Sequence, residues 1–305
     1  MLACSQPARL RRLLEQAARQ TLPPVEALVV WNGRAALGDL VVPGLHVRVL
    51  TIPPEAFGHG TTRTFALEQV RTELVTLVSD DAFPVDEGWH ASLVAPFAAD
   101  PGLGAVYGRQ IAGDDATPAE RAFRSARYPA DGFPIALGPG RTIDLTKLPI
   151  SNANAAYRVA PLRAAGGFVP DLLSGEDVAA ALTLLDAGWR VAYAGAAAVY
   201  HAHNYPFFEQ LRRTFDAATS LRDIRRRFDV RAPTGRPSHA ALAAAILSGR
   251  GGDGAGRAAV AADVLARALG VALAGAGRWM PRRLVALISR QRWYYRRAAG
   301  AAERA

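Results

Sequence analysis

Apolar and polar positions in the first 110 residues follow two alternating periods. Residues 8–20 and 61–73 place apolar side chains at helical spacing. Short apolar or alternating runs predict strands, which lie just before residue 33 and at 46–54, 74–79 and 102–111. Helices that alternate with strands over short connections are typical of a mostly parallel sheet with helices on its faces. The pattern therefore predicts an α/β fold.

Beyond residue 111 the hydrophobic periodicity is first weak and then becomes clear again. Residues 112–150 contain several Pro and Gly and show little periodicity, which is typical of a functional or poorly ordered loop. The later predicted elements are a helix at 176–190, one or two short strands at 190–205 and a long amphipathic helix at 206–228. We therefore predict one domain over residues 1–230.

Residues 231–305 read as a helical, basic extension, with the composition of a flexible linker at 248–257. Apolar positions near its end share one helical face: Trp279, Met280, Leu284, Leu287, Ile288 and Tyr294. The arginines around that face are Arg282, Arg283, Arg290, Arg292, Arg296 and Arg297. Such a helix could lie on an anionic membrane, or it could pack its apolar face on the domain and leave the arginines in solvent.

Composition narrows the choice of partner and compartment. The 305 residues include 36 Lys and Arg against 27 Asp and Glu, a net charge of +9, and 50% of residues are hydrophobic. This is a globular composition whose charge favours anionic partners such as nucleotides, nucleic acid or a membrane surface. The single cysteine, Cys4, excludes a disulfide framework within the chain and fits a reducing cytoplasm. No stretch is expected to reach the roughly 20 apolar residues of a membrane span, and no signal peptide is visible.

Two adjacent carboxylates, Asp80 and Asp81, end the strand predicted at 74–79, with no Lys or Arg beside them. Ligands of open α/β sheets bind beyond the carboxyl ends of the strands. Carboxylate oxygens without a basic partner suit Mg²⁺ or Mn²⁺, which also takes oxygens from substrate phosphates. The alternative is that the two aspartates only end the strand and start a turn.

A second acidic pair, Glu176 and Asp177, opens the helix predicted at 176–190. Asp177 could act as a general base at this helix start. Alternatively, Ser174 could cap the helix with Asp177 as its capping-box partner, since acids are favourable at helix N-termini.

Three further groups are candidates. His201 and His203 are two apart and face the same way in an extended segment, so they could join a metal site or contact a diphosphate. His59 and Arg63 open a helix beside glycines and could bind an anion, with a plain N-cap by Thr61 or Thr62 as the alternative. Asn152 and Asn154 follow the irregular loop and have side chains suited to sugar hydroxyls.

Taken together, these segments resemble the inverting nucleotide-sugar glycosyltransferases of family 2, which have the GT-A fold, and in particular their bacterial rhamnosyltransferase-like branch. The similarity covers roughly residues 8–230. The matching segments are "FGHGTTRTFALEQVRTELVTLVSDDAFPVDEGW", "VYGRQ", "ATPAERAFR", "SNANAAYR", "GEDVAAALTLLDAGWRVAY" and "VYHAHNY". The C-terminal "RWMPRRLVALISRQRWYYRR" also resembles that branch.

The resemblance implies a role for each candidate. Asp81, completed by His201 or His203, would hold a divalent cation, Mg²⁺ or Mn²⁺, on the donor diphosphate. Asp177, beside Glu176, would remove the proton from the acceptor hydroxyl. On the donor side the candidates are Asn32, His59, Arg63 and Asp80, and on the acceptor side they are Asn152 and Asn154.

The resemblance further implies an enzyme that transfers a sugar, with rhamnose as the family analogy, from a nucleoside diphosphate to a glycan or lipid-linked acceptor with inversion. That activity would serve cell-surface polysaccharide synthesis, in the cytoplasm or on the inner face of the membrane. A single displacement opposite a carboxylate base inverts the anomeric centre.

Two departures from the family pattern support a rival hypothesis. The first strand looks truncated, and the segment "LVVWNGRA" has Trp31 and Asn32 where the family has an acid that contacts the base. An inactive glycosyltransferase-like binding module is therefore the alternative. A nucleic-acid-binding protein, suggested by the net charge, is disfavoured because the acidic groups would repel phosphates and no recognised motif is present.

Overall fold

A computed structural model describes residues 2–4, 6–34, 37–135, 143, 148, 150–170, 172–230, 254–292 and 294–295. Its strands are β1 (Leu2–Cys4), β2 (Ala27–Trp31), β3 (Val47–Thr51), β4 (Leu74–Val78), β5 (Phe83–Pro84), β6 (Leu103–Ile111), β7 (Phe133–Ile135), β8 (Asn154–Arg158) and β9 (Arg190–Tyr200). Its helices are α1 (Pro7–Ala18), α2 (His59–Glu68), α3 (Trp89–Ala99), α4 (Pro118–Arg127), α5 (Val159–Ala164), α6 (Glu176–Asp186), α7 (Phe207–Arg227), α8 (Gly254–Ala276) and α9 (Arg282–Ile288).

The first sheet contains β1, β2 and β3, which pair in parallel in that order. Helix α1 connects β1 to β2 and buries Leu10, Leu13 and Leu14 against Val29 and Trp31 of β2. The helical spacing of those leucines gives α1 its apolar face. β1 has three residues, each paired with β2.

The second sheet has the strand order β4-β8-β6-β9-β5, with β7 paired to β9. β6 and β9 are parallel, whereas the other pairs in this sheet are antiparallel. The predicted α/β class with helices on its sheets is confirmed, but the parallel arrangement is confined to the first sheet and to the β6–β9 pair. β6 is buried along nearly its whole length, which explains its continuous apolar run.

One edge of the second sheet collects the ends of four strands. Val78, the last residue of β4, pairs with Asn154, the first residue of antiparallel β8. The last residues of β6 and β9, Ile111 and Tyr200, pair with each other, and Tyr107 of β6 pairs with Ala155 of β8. Segments that leave these ends therefore meet at one edge.

The C-terminal helices pack on α7. Phe215 of α7, Ala274 of α8 and Val285 of α9 form a small apolar cluster. The approach of α8 to α7 is close at Gly270, where an added Cβ would lie 2.7 Å from the carbonyl oxygen of Leu211. The linker predicted at 248–257 lies mostly outside the described residues, and its last four residues begin α8.

An 18-residue window within the segment Gly256–Trp279 has a mean hydropathy of 1.6, and the segment could cross a membrane by length and composition. The expectation that no stretch approaches a span is therefore wrong for this segment. One face of α8 nevertheless packs on the domain, where Arg267 is buried between Asp263 and Glu120.

Candidate active site

Three side chains meet at the shared edge of the second sheet. Asp81 follows β4, and His201 and His203 follow β9. The Nε2 atom of His201 lies 3.3 Å from Oδ1 of Asp81, and Nδ1 of His203 lies 3.9 Å from Oδ2. One ligand atom from each of the three residues lies within 4.8 Å of the others, so they could hold a metal ion together. The sequence offered either histidine as the partner of Asp81, and the structure brings both to it.

The charges of this Asp–His–His cluster are set by burial and by proximity. Burial alone would raise the pKa of Asp81, but its hydrogen bond to His201 and the charges of both histidines lower that pKa to about 2. Burial lowers the pKa of His203 to about 4, helped by His201 and Arg213. Burial likewise lowers the pKa of His201. At neutral pH the cluster therefore offers one carboxylate and two neutral imidazoles, a donor set that fits a divalent transition-metal ion.

A second group of charges surrounds the start of α6. Arg63 of α2 contacts the buried carboxylate of Glu176, and the side-chain amide of Asn152 donates to Glu176 at 3.4 Å. The backbone N–H of Asn152 donates to Oδ2 of Asp177 at 3.2 Å. Since Asn152 lies two residues before β8, this group adjoins the same sheet edge as the Asp–His–His cluster.

The pKa values of the two carboxylates in this group are shifted in opposite directions. Burial would raise the pKa of Glu176, but the nearby Arg63 and His59 lower it. Burial raises the pKa of Asp177 to about 7, and the charge of Glu176 adds to that rise. Asp177 can therefore exchange a proton near neutral pH, which is the property required of a general base.

The start of α6 is not capped by a serine, so the capping-box alternative is wrong. The residue before the helix is Gly175, which has a left-handed backbone with φ of 83°. The hydroxyl of Ser174 instead shares a hydrogen bond with that of Ser220, at 2.9 Å. The oxygens of Asp177 accept from the backbone N–H groups of Val178 and Asn152.

The asparagines predicted on the acceptor side are buried. Asn154 accepts from the indole N–H of Trp89 and donates to the carbonyl oxygens of Arg109 and Ala197. Asn152 accepts from the hydroxyl of Tyr157 at 2.8 Å and donates to Glu176. Asn154 is 0% exposed and Asn152 is 2% exposed. Their side chains therefore stabilise the site through hydrogen bonds within the protein and are not accessible to an acceptor.

The residues predicted on the donor side lie in three places. Arg63 and His59 lie in the group around Glu176. The N-cap residue of α2 is Gly58, so neither Thr61 nor Thr62 occupies that position; the hydroxyl of Thr62 accepts from the backbone N–H of Gly58. Asn32 directly follows β2, and Asp80 directly precedes Asp81. An open cleft of about 880 Å³ lies just beyond Asn32, at the carboxyl ends of β2 and β3. It is lined by Gly33, Arg34, Thr51, Ile52, Pro53, Pro54 and Glu55.

Some polar residues of the site were missed in the sequence. Gln110 lies behind His201, with its Oε1 atom 2.8 Å from Nδ1 of the imidazole. Arg124, which contacts the same oxygen, is paired with Glu120 one helical turn away. The available signal was a glutamine near the end of a mostly apolar strand, because a buried polar side chain needs a partner.

Comparison with known families gives one match over most of the chain. A model of the glycosyltransferase-like family 2 matches residues 1–218. That range contains the Asp–His–His cluster, the group around Glu176 and the cleft beyond Asn32.

Two curated relatives are O-antigen chain rhamnosyltransferases. RfbN of Salmonella typhimurium is 29% identical over 209 residues, which are 67% of this chain and 65% of that protein. WbaN of Salmonella anatum is 30% identical over 169 residues, which are 55% of this chain and 53% of that protein. The matched part of the chain thus spans between half and two thirds of each relative.

Solved structures of glycosyltransferases share the fold. The mannosyltransferase PcManGT from Pyrobaculum calidifontis, solved with GDP-Man and Mn²⁺, is 16% identical with a TM-score of 0.55, over 98% of this chain and 84% of that one. TarS 1–349 of S. aureus, solved with UDP, is 17% identical with a TM-score of 0.50, over 91% and 90%. These similarities show that the fold is GT-A.

Proposed function

This chain belongs to the glycosyltransferase-like family 2, and we propose that it transfers a sugar from a nucleoside diphosphate to a hydroxyl of a glycan or lipid-linked acceptor, with inversion, in cell-surface polysaccharide synthesis. The observation that carries the proposal is that a candidate cation site and a candidate general base lie at the same sheet edge. Asp81, His201 and His203 can hold a cation, and Asp177 has a pKa raised to about 7.

Each group has a task in this reaction. Asp177 accepts the proton of the acceptor hydroxyl while the hydroxyl oxygen attacks the anomeric carbon. A bound divalent cation would stabilise negative charge on the leaving nucleoside diphosphate. Arg213, close enough to lower the pKa of His203, adds positive charge on the same side. The base thus acts on the attacking hydroxyl, and the cation acts on the leaving diphosphate.

Of the two cations expected from the sequence, Mn²⁺ suits this site better than Mg²⁺. Mg²⁺ binds oxygen ligands and keeps several waters, whereas imidazole nitrogens favour transition metals. Two of the three candidate ligands are imidazoles. The similar mannosyltransferase structure holds Mn²⁺ together with its nucleotide sugar.

The nucleotide is proposed to occupy the cleft beyond Asn32, and rhamnose is the proposed sugar. The cleft lies at the carboxyl ends of two parallel strands, where open α/β sheets bind ligands. The names of the two curated relatives, both rhamnosyltransferases, support the proposal of rhamnose.

The chain is also proposed to work in the cytoplasm on the inner face of a membrane. Trp279, Leu284 and Leu287 are exposed apolar side chains close to Arg278, Arg282 and Arg283. Exposed apolar groups flanked by arginines suit an anionic lipid surface. A lipid-linked acceptor would be found there.

Calorimetric titration with dTDP, UDP and GDP, with and without Mn²⁺, tests the donor site. We expect one nucleotide to bind in a Mn²⁺-dependent manner, and we expect Asp81→Asn to abolish that dependence. Asp186→Asn is the matched control, because Asp186 is an exposed aspartate at the opposite end of α6 from Asp177 and is not one of the three clustered ligands. An inactive binding module would bind a nucleotide but would not hydrolyse or transfer its sugar, so turnover of the bound nucleotide sugar separates the two hypotheses. A folded wild-type protein that binds none of the three nucleotides would contradict the proposal.

A further inference from the structure

Gln110 contacts His201 from the side opposite to Asp81. Its Oε1 atom lies 2.8 Å from Nδ1 of His201, and Nε2 of the same ring faces Oδ1 of Asp81 at 3.3 Å. Gln110 is 2% exposed and His201 is 9% exposed. Bulk water is therefore largely excluded from this contact.

The orientation of the Gln110 amide is fixed by Arg124. Nη1 of Arg124 donates to Oε1 of Gln110, and a guanidinium has donors but no acceptor. Turning the amide over would place its NH₂ group against another donor. Oε1 therefore faces both neighbours, although this leaves Nε2 of Gln110 without a hydrogen-bond partner among the described residues.

The fixed amide in turn fixes the tautomer of His201. An amide oxygen can only accept, so Nδ1 of His201 must carry the proton. In the neutral ring, Nε2 then has a lone pair that points towards the carboxylate of Asp81. Two facing acceptor atoms repel each other, and a cation between them, either a proton or a metal ion, removes that repulsion.

Arg124 is held by a buried ion-pair network that extends to helix α8. Nε of Arg124 donates to Oε1 of Glu120 at 2.7 Å, and Nη2 of Arg267 lies 3.5 Å from Oε2 of Glu120. Arg267 belongs to α8, which lies outside the residues matched by the family model. The guanidinium of Arg267 also lies over the ring of Phe123, 4.2 Å from its centroid.

We propose that Gln110 is a positioning residue that holds His201 in the Nδ1–H tautomer and so presents Nε2 to the cation, and that Arg267 of α8 supports it through Glu120 and Arg124. This inference rests on the cation site of the proposed function. Outer contacts of this type orient metal-binding histidines in proteins generally. The C-terminal extension is then a structural part of the cation site.

The first test reads the tautomer without any metal. Two-bond ¹H–¹⁵N spectra of the histidine rings of the full chain, recorded at pH 8 with His201→Gln to assign the signal, report which nitrogen of His201 is protonated. We expect a protonated Nδ1 in the wild type and in Gln110→Glu, which keeps an acceptor oxygen. In Gln110→Leu, which removes it, we expect the signal of a mixed tautomer. A wild-type ring protonated at Nε2 would overturn the proposal.

The second test measures Mn²⁺ binding by calorimetry and electron paramagnetic resonance. Gln110→Leu should weaken Mn²⁺ binding by about 10–100-fold, the range for outer contacts of metal ligands. Arg267→Met should weaken it less, because Arg267 acts through two intervening residues. Gln110→Glu should bind like the wild type. Arg190→Met removes an ion pair with Asp100 at the other end of β9, and this control should leave binding unchanged.

Thermal unfolding of each variant separates loss of positioning from loss of the fold. Unchanged Mn²⁺ binding in folded Gln110→Leu, beside a wild type that binds the ion, would overturn this inference alone. A folded wild type that binds no Mn²⁺ at all would overturn the cation site together with it, so the two failures are distinguishable.

Discussion

Arg63 of α2 contacts the carboxylate of Glu176 on α6, although 113 positions separate the two residues in the sequence. The contact stabilises the charge of Glu176 and lowers its pKa, whereas for its neighbour Asp177 burial and the charge of Glu176 outweigh the stabilisation by Arg63 and by two backbone N–H groups. Two adjacent carboxylates thereby acquire different properties, one as a charged anchor and one as a group that titrates near neutral pH.

This difference predicts a pH dependence. The pKa of Asp177 is raised to about 7 by burial and by Glu176. Because a general base must be deprotonated, kcat/KM should fall about tenfold per pH unit below pH 7 and level off above it. Initial rates of sugar transfer between pH 5 and 9 measure this profile. A flat profile across pH 7 would contradict the assignment, and Asp177→Asn should lower kcat by about 10²–10⁴-fold with little change in nucleotide binding.

Glu176→Gln should shift the acidic limb of that profile. Removing the charge of Glu176 removes one of the two causes that raise the pKa of Asp177, so the limb should move to lower pH, although burial keeps it above the ordinary range. Arg63→Met is the opposite change. It removes a positive charge from the pair, and the limb should move to higher pH. Variants whose profiles coincide with the wild type would show that Asp177 is not the titrating base.

The sequence predicted the parts of this site that are local in the chain. The strand before Asp80, the helix that starts at Glu176 and the proximity of the two histidines follow from short-range periodicity and spacing. The pairing of Arg63 with Glu176 does not, because it depends on how α2 and α6 pack. The same limit explains Asn154, whose amide looked suited to sugar hydroxyls but is held by Trp89.

Strand direction was harder to predict than strand position. Alternating helices and strands suggested a mostly parallel sheet, and the first sheet has that arrangement. β8 arises in a segment without clear periodicity, and it inserts antiparallel between β4 and β6. Such an insertion depends on long-range pairing, which short-range periodicity does not report.

Two glycines of α8 should respond in opposite directions to substitution by alanine. A Cβ at Gly270 would lie 2.7 Å from the carbonyl oxygen of Leu211 and 2.8 Å from Cβ of Thr214, so Gly270→Ala must push α8 away from α7. Gly275 is an exposed position of the same helix, and apart from its own helix backbone and chain neighbours no atom of the described residues lies within 4 Å of an added Cβ. Gly275→Ala should therefore raise the free energy of unfolding by up to about 1 kcal/mol through helix propensity. Gly270→Ala should lower it by about 1–3 kcal/mol, the usual cost of overpacking. Chemical unfolding of both variants measures the difference, and equal effects would contradict the close packing of α8 on α7.

The exposed apolar side chains near the C-terminus predict binding to anionic lipid. Trp279 is 79% exposed, and Leu284 and Leu287 are 47% and 57% exposed. The sequence placed these residues on one helical face with Met280 and Ile288, but Met280 and Ile288 pack on the cluster around Phe215. Part of the segment thus packs on the domain, as one of the two alternatives from the sequence has it, whereas other apolar residues face solvent; binding of this exposed part to a membrane stays a prediction. Co-sedimentation with vesicles of phosphatidylglycerol should retain the wild type more than vesicles of phosphatidylcholine, because the nearby arginines favour negative lipid. Trp279→Ser with Leu287→Ser should reduce this retention, whereas Val25→Ser, an exposed apolar residue 76% accessible in the N-terminal part, should not. Equal retention of all three proteins, or none, would mean that the surface does not bind lipid.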